Sequence, residues 1–281
     1  HVSWYDDREH ARRMAVTLDG PFVGAVADAA RERGVWVMVN VVVAQDDGRT
    51  TGTNVLCSPA GDVVASSDKQ VLMGSERLHL DDAVSLGPVV ETPVARFGMY
   101  SCMDGVINET PRGLALRGAQ VLLNSLNSFA LDEASLHIPV RAPENRVWIV
   151  AANKVGPLVP EGTIEIVSQG VGVPPDRLHG AGESQVVAPD GRVVVRGPRV
   201  GQAVVVADID VAEADRKTRP DGTDVYASRR PELYGPLADE PRGRTAPSGA
   251  DVVTAAVVQG ADDDLDLVVA LVREALEDGA N

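Results

Sequence analysis

Cysteine is scarce in this 281-residue chain, and the two it has, Cys57 and Cys102, form neither a disulfide framework nor a pair at metal-ligand spacing. The five histidines, His1, His10, His79, His137 and His179, are scattered with no i,i+4 pair, so no metal site is expected. No glycine-rich phosphate loop follows a strand. No apolar run approaches the roughly 20 residues of a membrane span. Positive charge is short as well: 26 Lys and Arg stand against 41 Asp and Glu, a net charge of -15. That balance argues against a nucleic-acid backbone or an anionic membrane as partner. The chain opens without Met and without a signal-peptide pattern, and a cytoplasmic location is the expectation.

What is present suits a globular protein with a sizeable core, since 44% of the residues are hydrophobic. Asp19-Gly20-Pro21 reads as a helix start, with proline tolerated in the first turn, and Phe22, Val26, Ala29 and Ala30 give one apolar stripe closed by Gly34. Residues 35–43 are nearly all apolar and β-branched, which predicts a strand buried on both faces. Residues 53–58 and 63–67 flank Pro59-Ala60-Gly61-Asp62 and predict a hairpin. Further strands are expected at 94–101, 121–124 and 204–209, and a strand and turn at 182–191. Residues 132–146 look partly helical, interrupted by Pro139 and Pro143. The Gly- and Pro-rich stretch 157–179 has no clear period and reads as a surface loop.

Chemistry gathers at Gly98-Met99-Tyr100-Ser101-Cys102-Met103-Asp104, where an apolar strand runs into a cysteine, a turn and a helix. Nucleophilic attack by cysteine needs the thiolate, a rigid mount and donors for the oxyanion that forms. A strand-to-helix turn supplies the mount and leaves backbone N–H groups free. Cys102 is therefore the candidate nucleophile.

The stretch from Cys102 through Asp104, Glu109 and Arg112 to Gly118-Ala119 resembles the signature of the nitrilase superfamily of carbon-nitrogen hydrolases, C-[YW]-D-x-x-[FY]-P-E-x-x-R followed by L-A and G-A. Met103 and Ile107 are apolar substitutes for aromatics, and Asn108 stands where proline is usual. Other matches follow in order. Lys69, Leu72 and Glu76 fit a K-x-x-L followed by a glutamate; Arg141-Ala142-Pro143-Glu144-Asn145 resembles R-A-x-E-N. Gly182 to Gly191 resembles G-x-S-x-x-x-x-P-x-G, and Arg229-Arg230-Pro231-Glu232-Leu233-Tyr234 resembles the closing R-R-P-E-L-Y. The resemblance implies an α/β (α+β) fold, a four-layer α-β-β-α sandwich. It implies catalytic roles for Cys102 and Lys69, with Lys69 stabilising the tetrahedral intermediate. Glu76, Met103 and Asp104 take substrate-positioning or auxiliary roles, and neither cofactor nor metal is needed.

One part of the resemblance is missing. The family's general-base glutamate follows a proline at the end of an early strand, and no segment here supplies it: Pro143-Glu144 and Pro231-Glu232 belong to other motifs. Residues 251–281 instead resemble the strand and helix that open such a domain, at the wrong end of the chain. Three parts are therefore expected: a hydrolase body at 1–238, a linker at 239–250, and the 251–281 tail. The tail is either the start of a second domain in a tandem protein or the domain's own opening in a permuted one; in both cases it is expected to dock into the vacant place.

Function is expected to be cysteine-dependent hydrolysis of a small amide, carbamoyl compound or nitrile through a thioester. The alternatives are an acyltransferase of the same family and a catalytically silent binding or assembly module. Lys69 and the helix N-terminus are expected to depress the Cys102 pKa, while Cys57 is expected to be buried and inert. The resemblance also implies a homodimer or higher homo-oligomer.

Overall fold

A computed structural model of the chain describes residues 5–239. Its contacts divide the chain into two units, His1–Arg229 and Arg230–Asn281. Of the second unit, 230–239 are described and form two short 3-10 turns, the first holding the Arg229-to-Tyr234 motif's Pro231–Leu233. The expected linker beyond Asp239 and the 251–281 tail lie outside the described residues.

The first unit begins with α1 (Arg8–Met14), whose N-terminus is capped by the Asp7 carboxylate accepting from the His10 N–H at 2.6 Å. Next, α2 (Pro21–Arg33) has its proline in the first turn and ends at Gly34, which adopts φ 65°, a left-handed value glycine takes without strain. This helix lays Val23, Ala27 and Ala30 on Val41, Val43, Val55 and Cys57 of a three-stranded antiparallel sheet. The sheet's order is β1 (Val37–Ala44), β2 (Thr50–Cys57), β3 (Val63–Asp68), with the expected hairpin joining the last two.

The reading of 35–43 needs correction. The strand starts at Val37, Val35 is 46% exposed, and only Val41, Val42 and Val43 are buried. Among the described residues β1 pairs along its length with β2 alone, apart from one bridge between Val16 and Val43. Alternation explains the pattern, because Val37, Val39, Val41 and Val43 turn to α2 while Asn40, on the opposite face, borders a cavity.

A six-stranded mixed sheet packs on this one. It is built from β4 (Val89–Glu91), β5 (Arg96–Ser101), β6 (Val121–Leu126), β7 (Trp148–Asn153), β10 (Gln185–Val187) and β11 (Val193–Arg196), in the order β11-β10-β7-β6-β5-β4. Strands β5, β6 and β7 are parallel, so helices must cross between them: α3 (Met103–Val106) and α4 (Glu109–Leu116), then α5 (Ile138–Asn145). Leu114, Ala115, Ile138 and Ala142 of these helices bury Tyr100, Leu122 and Ile149 on the outer face. The inner face meets the small sheet through Trp36 and Phe97, whose ring centroids lie 6.3 Å apart, and through side-chain hydrogen bonds from Asn40 to Ser101 and from Ser125 to Asn54. The result is the four-layer α-β-β-α arrangement. No helix among the described residues is long and apolar enough to cross a membrane.

Three segments differ from expectation. Among the described residues, 204–209 pair with no strand: Ala207 and Ile209 pack on the sheet while Val204 and Val206 are 90% and 81% exposed, so the side chains alternate as in a strand. Residues 132–146 are helical almost throughout, a π turn at Glu133–His137 leading straight into α5. Pro139 sits in the first turn of α5, where a missing N–H costs nothing; Pro143 lies inside it. The 157–179 stretch is more than a surface loop. It holds α6 (Ile164–Val171), is closed at its base by β8 (Val155–Pro157) pairing with β9 (His179–Ala181), and buries Leu158, Val159, Val167 and Leu178 in a cluster of its own.

Candidate active site

Cys102 sits at the sharp end of β5, with φ 47° and ψ -108°, a conformation unusual for a residue with a side chain. Its neighbours hold it there. The Cys102 N–H donates to the Ser125 carbonyl at 3.0 Å, and its carbonyl accepts the Gly105 N–H at 2.8 Å, starting α3. Arg141 reaches over from α5 and donates to the Gly105 carbonyl at 2.8 Å and to the Val106 carbonyl at 3.1 Å, holding the far end of that short helix.

Asp104 ties the cysteine turn to the lysine loop. One carboxylate oxygen accepts the Gln70 and Val71 N–H groups at 3.1 and 2.7 Å, and the other accepts the Ser101 N–H at 3.1 Å. The residues directly after Lys69 and directly before Cys102 are thus clamped by one buried side chain. Burial pushes the Asp104 carboxyl up to about 6, against the pull of the three N–H groups and the Lys69 ammonium. Sequence reasoning placed Asp104 at the site; its location behind the site, 1% exposed, comes from the fold.

Lys69 follows β3 and is only 4% exposed. Its ammonium pairs with a Glu76 carboxylate oxygen at 2.5 Å, and the same oxygen accepts the Met73 N–H at 2.7 Å. Burial alone would lower the Lys69 pKa; Cys102 in its ionised form, and then Glu76 and Asp104, outweigh it and the net direction is up. With the thiol neutral, the Glu76 carboxylate is the partner that keeps Lys69 an ammonium. Lys69, Glu76 and Cys102 open together on a cavity of about 350 Å³ between the sheets, bordered also by Asn40, Ser101, Ser125 and Asn153.

The expected depression of the Cys102 pKa is overturned. Burial pushes the thiol up to about 11; Lys69 and the Met103 N–H pull it down, but Glu133 and Glu76 work with burial. A positive neighbour in a dry site does not suffice when two carboxylates face the same sulfur. Cys57 meets expectation: it is fully buried under α2, and burial raises its thiol pKa.

A second cavity of about 300 Å³ shares Cys102 and Glu76 with the first, and the Met103 side chain lines it. It is walled by Phe129, Leu158, Val159, Val167 and Leu178, with Glu133 and His137 among its polar groups. Sequence reasoning missed Glu133. Burial, and then the neighbouring Asp132, push its carboxyl up to about 7, while Ser128 and Lys69 oppose the shift. The available signal was its place four residues before His137 at the head of a helical segment, one face with Arg141.

Comparison with known proteins places the chain in a family. The family model described as carbon-nitrogen hydrolase matches residues 2–218. A nitrilase of Pyrococcus abyssi is 25% identical over 232 residues, covering 82% of this chain and 80% of its own. An (R)-stereoselective amidase of a Pseudomonas species is 29% identical over 236 residues, covering 83% and 77%. Among solved structures, a cysteine-to-alanine mutant of an amidase of the nitrilase superfamily from Nesterenkonia AN1 superposes with a TM-score of 0.64 at 22% identity, over 83% of this chain and 79% of that one. That likeness speaks to the fold, and the family match decides membership: this chain belongs to the carbon-nitrogen hydrolase family.

Proposed function

We propose that the chain is a cysteine-dependent hydrolase of non-peptide carbon-nitrogen bonds, acting on a small amide, carbamoyl compound or nitrile. The observation that carries the proposal is the convergence of Cys102, the Lys69 ammonium and Glu76 on one cavity. On an amide, the Cys102 sulfur adds to the carbonyl carbon as its proton passes to a base. The oxyanion is held by Lys69 and the Met103 N–H. The C–N bond breaks as the leaving amine takes a proton, giving a thioester; water then adds, the C–S bond breaks, and the thiol is restored. Glu76 keeps Lys69 charged and aimed, and Asp104 holds both loops. No cofactor enters.

Because the resting thiol titrates near 11, only about one molecule in 10⁴ carries a thiolate at pH 7. The step therefore depends on a base, which the family resemblance assigns to a glutamate that the sequence does not supply. The proposal accordingly includes slow turnover by this polypeptide, with the body, linker and tail arranged as one domain plus its displaced opening. A cytoplasmic location and a homo-oligomer are parts of the same proposal. A second reading, a silent binding or assembly module, is favoured by that neutral thiol together with Met103 and Asn108 at unusual positions; an acyltransferase differs only in the acceptor of the acyl group.

Ammonia release from a panel of small amides, carbamoyl amines and nitriles tests the proposal. Release is expected from at least one class, lost in Cys102→Ala and reduced about 100- to 1,000-fold in Lys69→Met. Release that survives Cys102→Ala contradicts it, and no release from any class leaves the silent module as the better reading.

A further inference from the structure

Glu133 is 4% exposed, yet one of its carboxylate oxygens, Oε2, has no hydrogen-bond partner. Burying a carboxylate without satisfying it is costly, and such groups are rare unless something else completes them. Its one assigned side-chain partner is the Ser128 hydroxyl. The chamber it borders is lined also by Phe129, Leu158, Val159, Val167 and Leu178, which pack together as one apolar cluster, and by Cys102.

The basic groups around the chamber are already partnered: Lys69 pairs with Glu76, and the His137 Nε2 lies 3.3 Å from an Asp132 carboxylate oxygen. Glu133, with its carboxyl raised to about 7, has no basic side chain of its own among the described residues. At about 300 Å³ the chamber has room for about ten non-hydrogen atoms at the density of liquid water. A group seated there while its carbonyl carbon meets Cys102 is the acyl side chain of a substrate.

We infer that Glu133 is a specificity-determining residue that selects amides whose acyl group is a small apolar body carrying an amino group, held as an ammonium against the free carboxylate oxygen. This deepens the hydrolase reading and rests on it for the position of the carbonyl. The ammonium supplies the missing donor, draws the carboxyl to its ionised form and leaves the aliphatic part on the apolar wall. A hydroxyl or a neutral amide satisfies the oxygen less well, because a hydrogen bond between charged partners is the stronger one.

The experiment compares matched pairs, pentanamide with 5-aminopentanamide and 4-methylpentanamide with leucinamide, on the full chain. Two readouts are taken: ammonia release, and protection of Cys102 from alkylation by N-ethylmaleimide. In at least one pair the aminated amide is expected to protect at about 10- to 100-fold lower concentration than its parent, the range of a hydrogen bond to a charged group. Glu133→Gln is expected to erase that ratio, and Glu133→Asp to keep part of it. No preference in the unaltered chain overturns the inference, and so does a preference that survives Glu133→Gln. Equal loss of ammonia release on both members of a pair, with the ratio unchanged, means that the carboxylate serves the reaction rather than recognition and also overturns it. Preferential protection without ammonia release from any compound upholds the role of Glu133 and counts against hydrolysis; release without preference does the reverse.

Discussion

At the scale of single residues, the site is a contest over one proton. Burial, Glu133 and Glu76 keep the Cys102 thiol neutral, while Lys69 and the Met103 N–H favour the thiolate. The sign of the pH dependence follows: because the pKa is raised to about 11, the reactive form grows about tenfold for each pH unit from 7 upward and does not level off near 9. The rate of Cys102 alkylation, read by peptide mass spectrometry between pH 7 and 10, is expected to climb throughout that range, and Lys69→Met is expected to lower it at every pH. A plateau near pH 8 contradicts the burial argument. Much of this was legible in the sequence. The motif containing Cys102, Lys69 and Glu76 named the residues that share the cavity, since each lies where a strand or turn of fixed length delivers it. The direction of the thiol shift was not legible, because it depends first on how deeply the fold buries the sulfur and then on Glu133, which lies 31 residues away in the sequence.

At the scale of elements, the site rests on the turn from β5 into α3. Gly105 is where that short helix meets the strand: a Cβ there would stand 2.7 Å from the Tyr100 ring, closer than side-chain carbons approach. Gly105→Ala is therefore expected to cost about 1–3 kcal/mol of stability, measured by denaturant unfolding, because the buried ring has no room to retreat. It is also expected to lower the alkylation rate of Cys102, since the thiol rides on the same turn. Unchanged stability and reactivity contradict the packing described. Apolar runs foretold β5 and β6, whose two faces meet helices on one side and the second sheet on the other. At 204–209 the side chains alternate as the expected strand requires, but among the described residues the backbone pairs with no other strand. For α6 the glycines and prolines around it masked an apolar face that only its packing on Leu158 and Leu178 reveals.

At the scale of the whole molecule, a four-layer fold and membership of the carbon-nitrogen hydrolase family frame the proposal that Cys102 is a nucleophile whose base is a glutamate following a proline. Adding a strand ending in Pro-Glu at either terminus is expected to raise amide turnover by about 100- to 10,000-fold, the usual worth of general acid-base help. Turnover unchanged by that addition means the base lies elsewhere in the chain. The central claim, that Cys102 takes the acyl group, does not depend on fast turnover and is tested most directly by prolonged incubation with the amide panel followed by mass spectrometry of the Cys102 peptide. The account expects a mass increase equal to the amide less ammonia, confined to Cys102, absent from Cys57 and abolished in Cys102→Ala. Ammonia released over the same period with Cys102 unmodified at every time point, or from the Cys102→Ala chain, would contradict it.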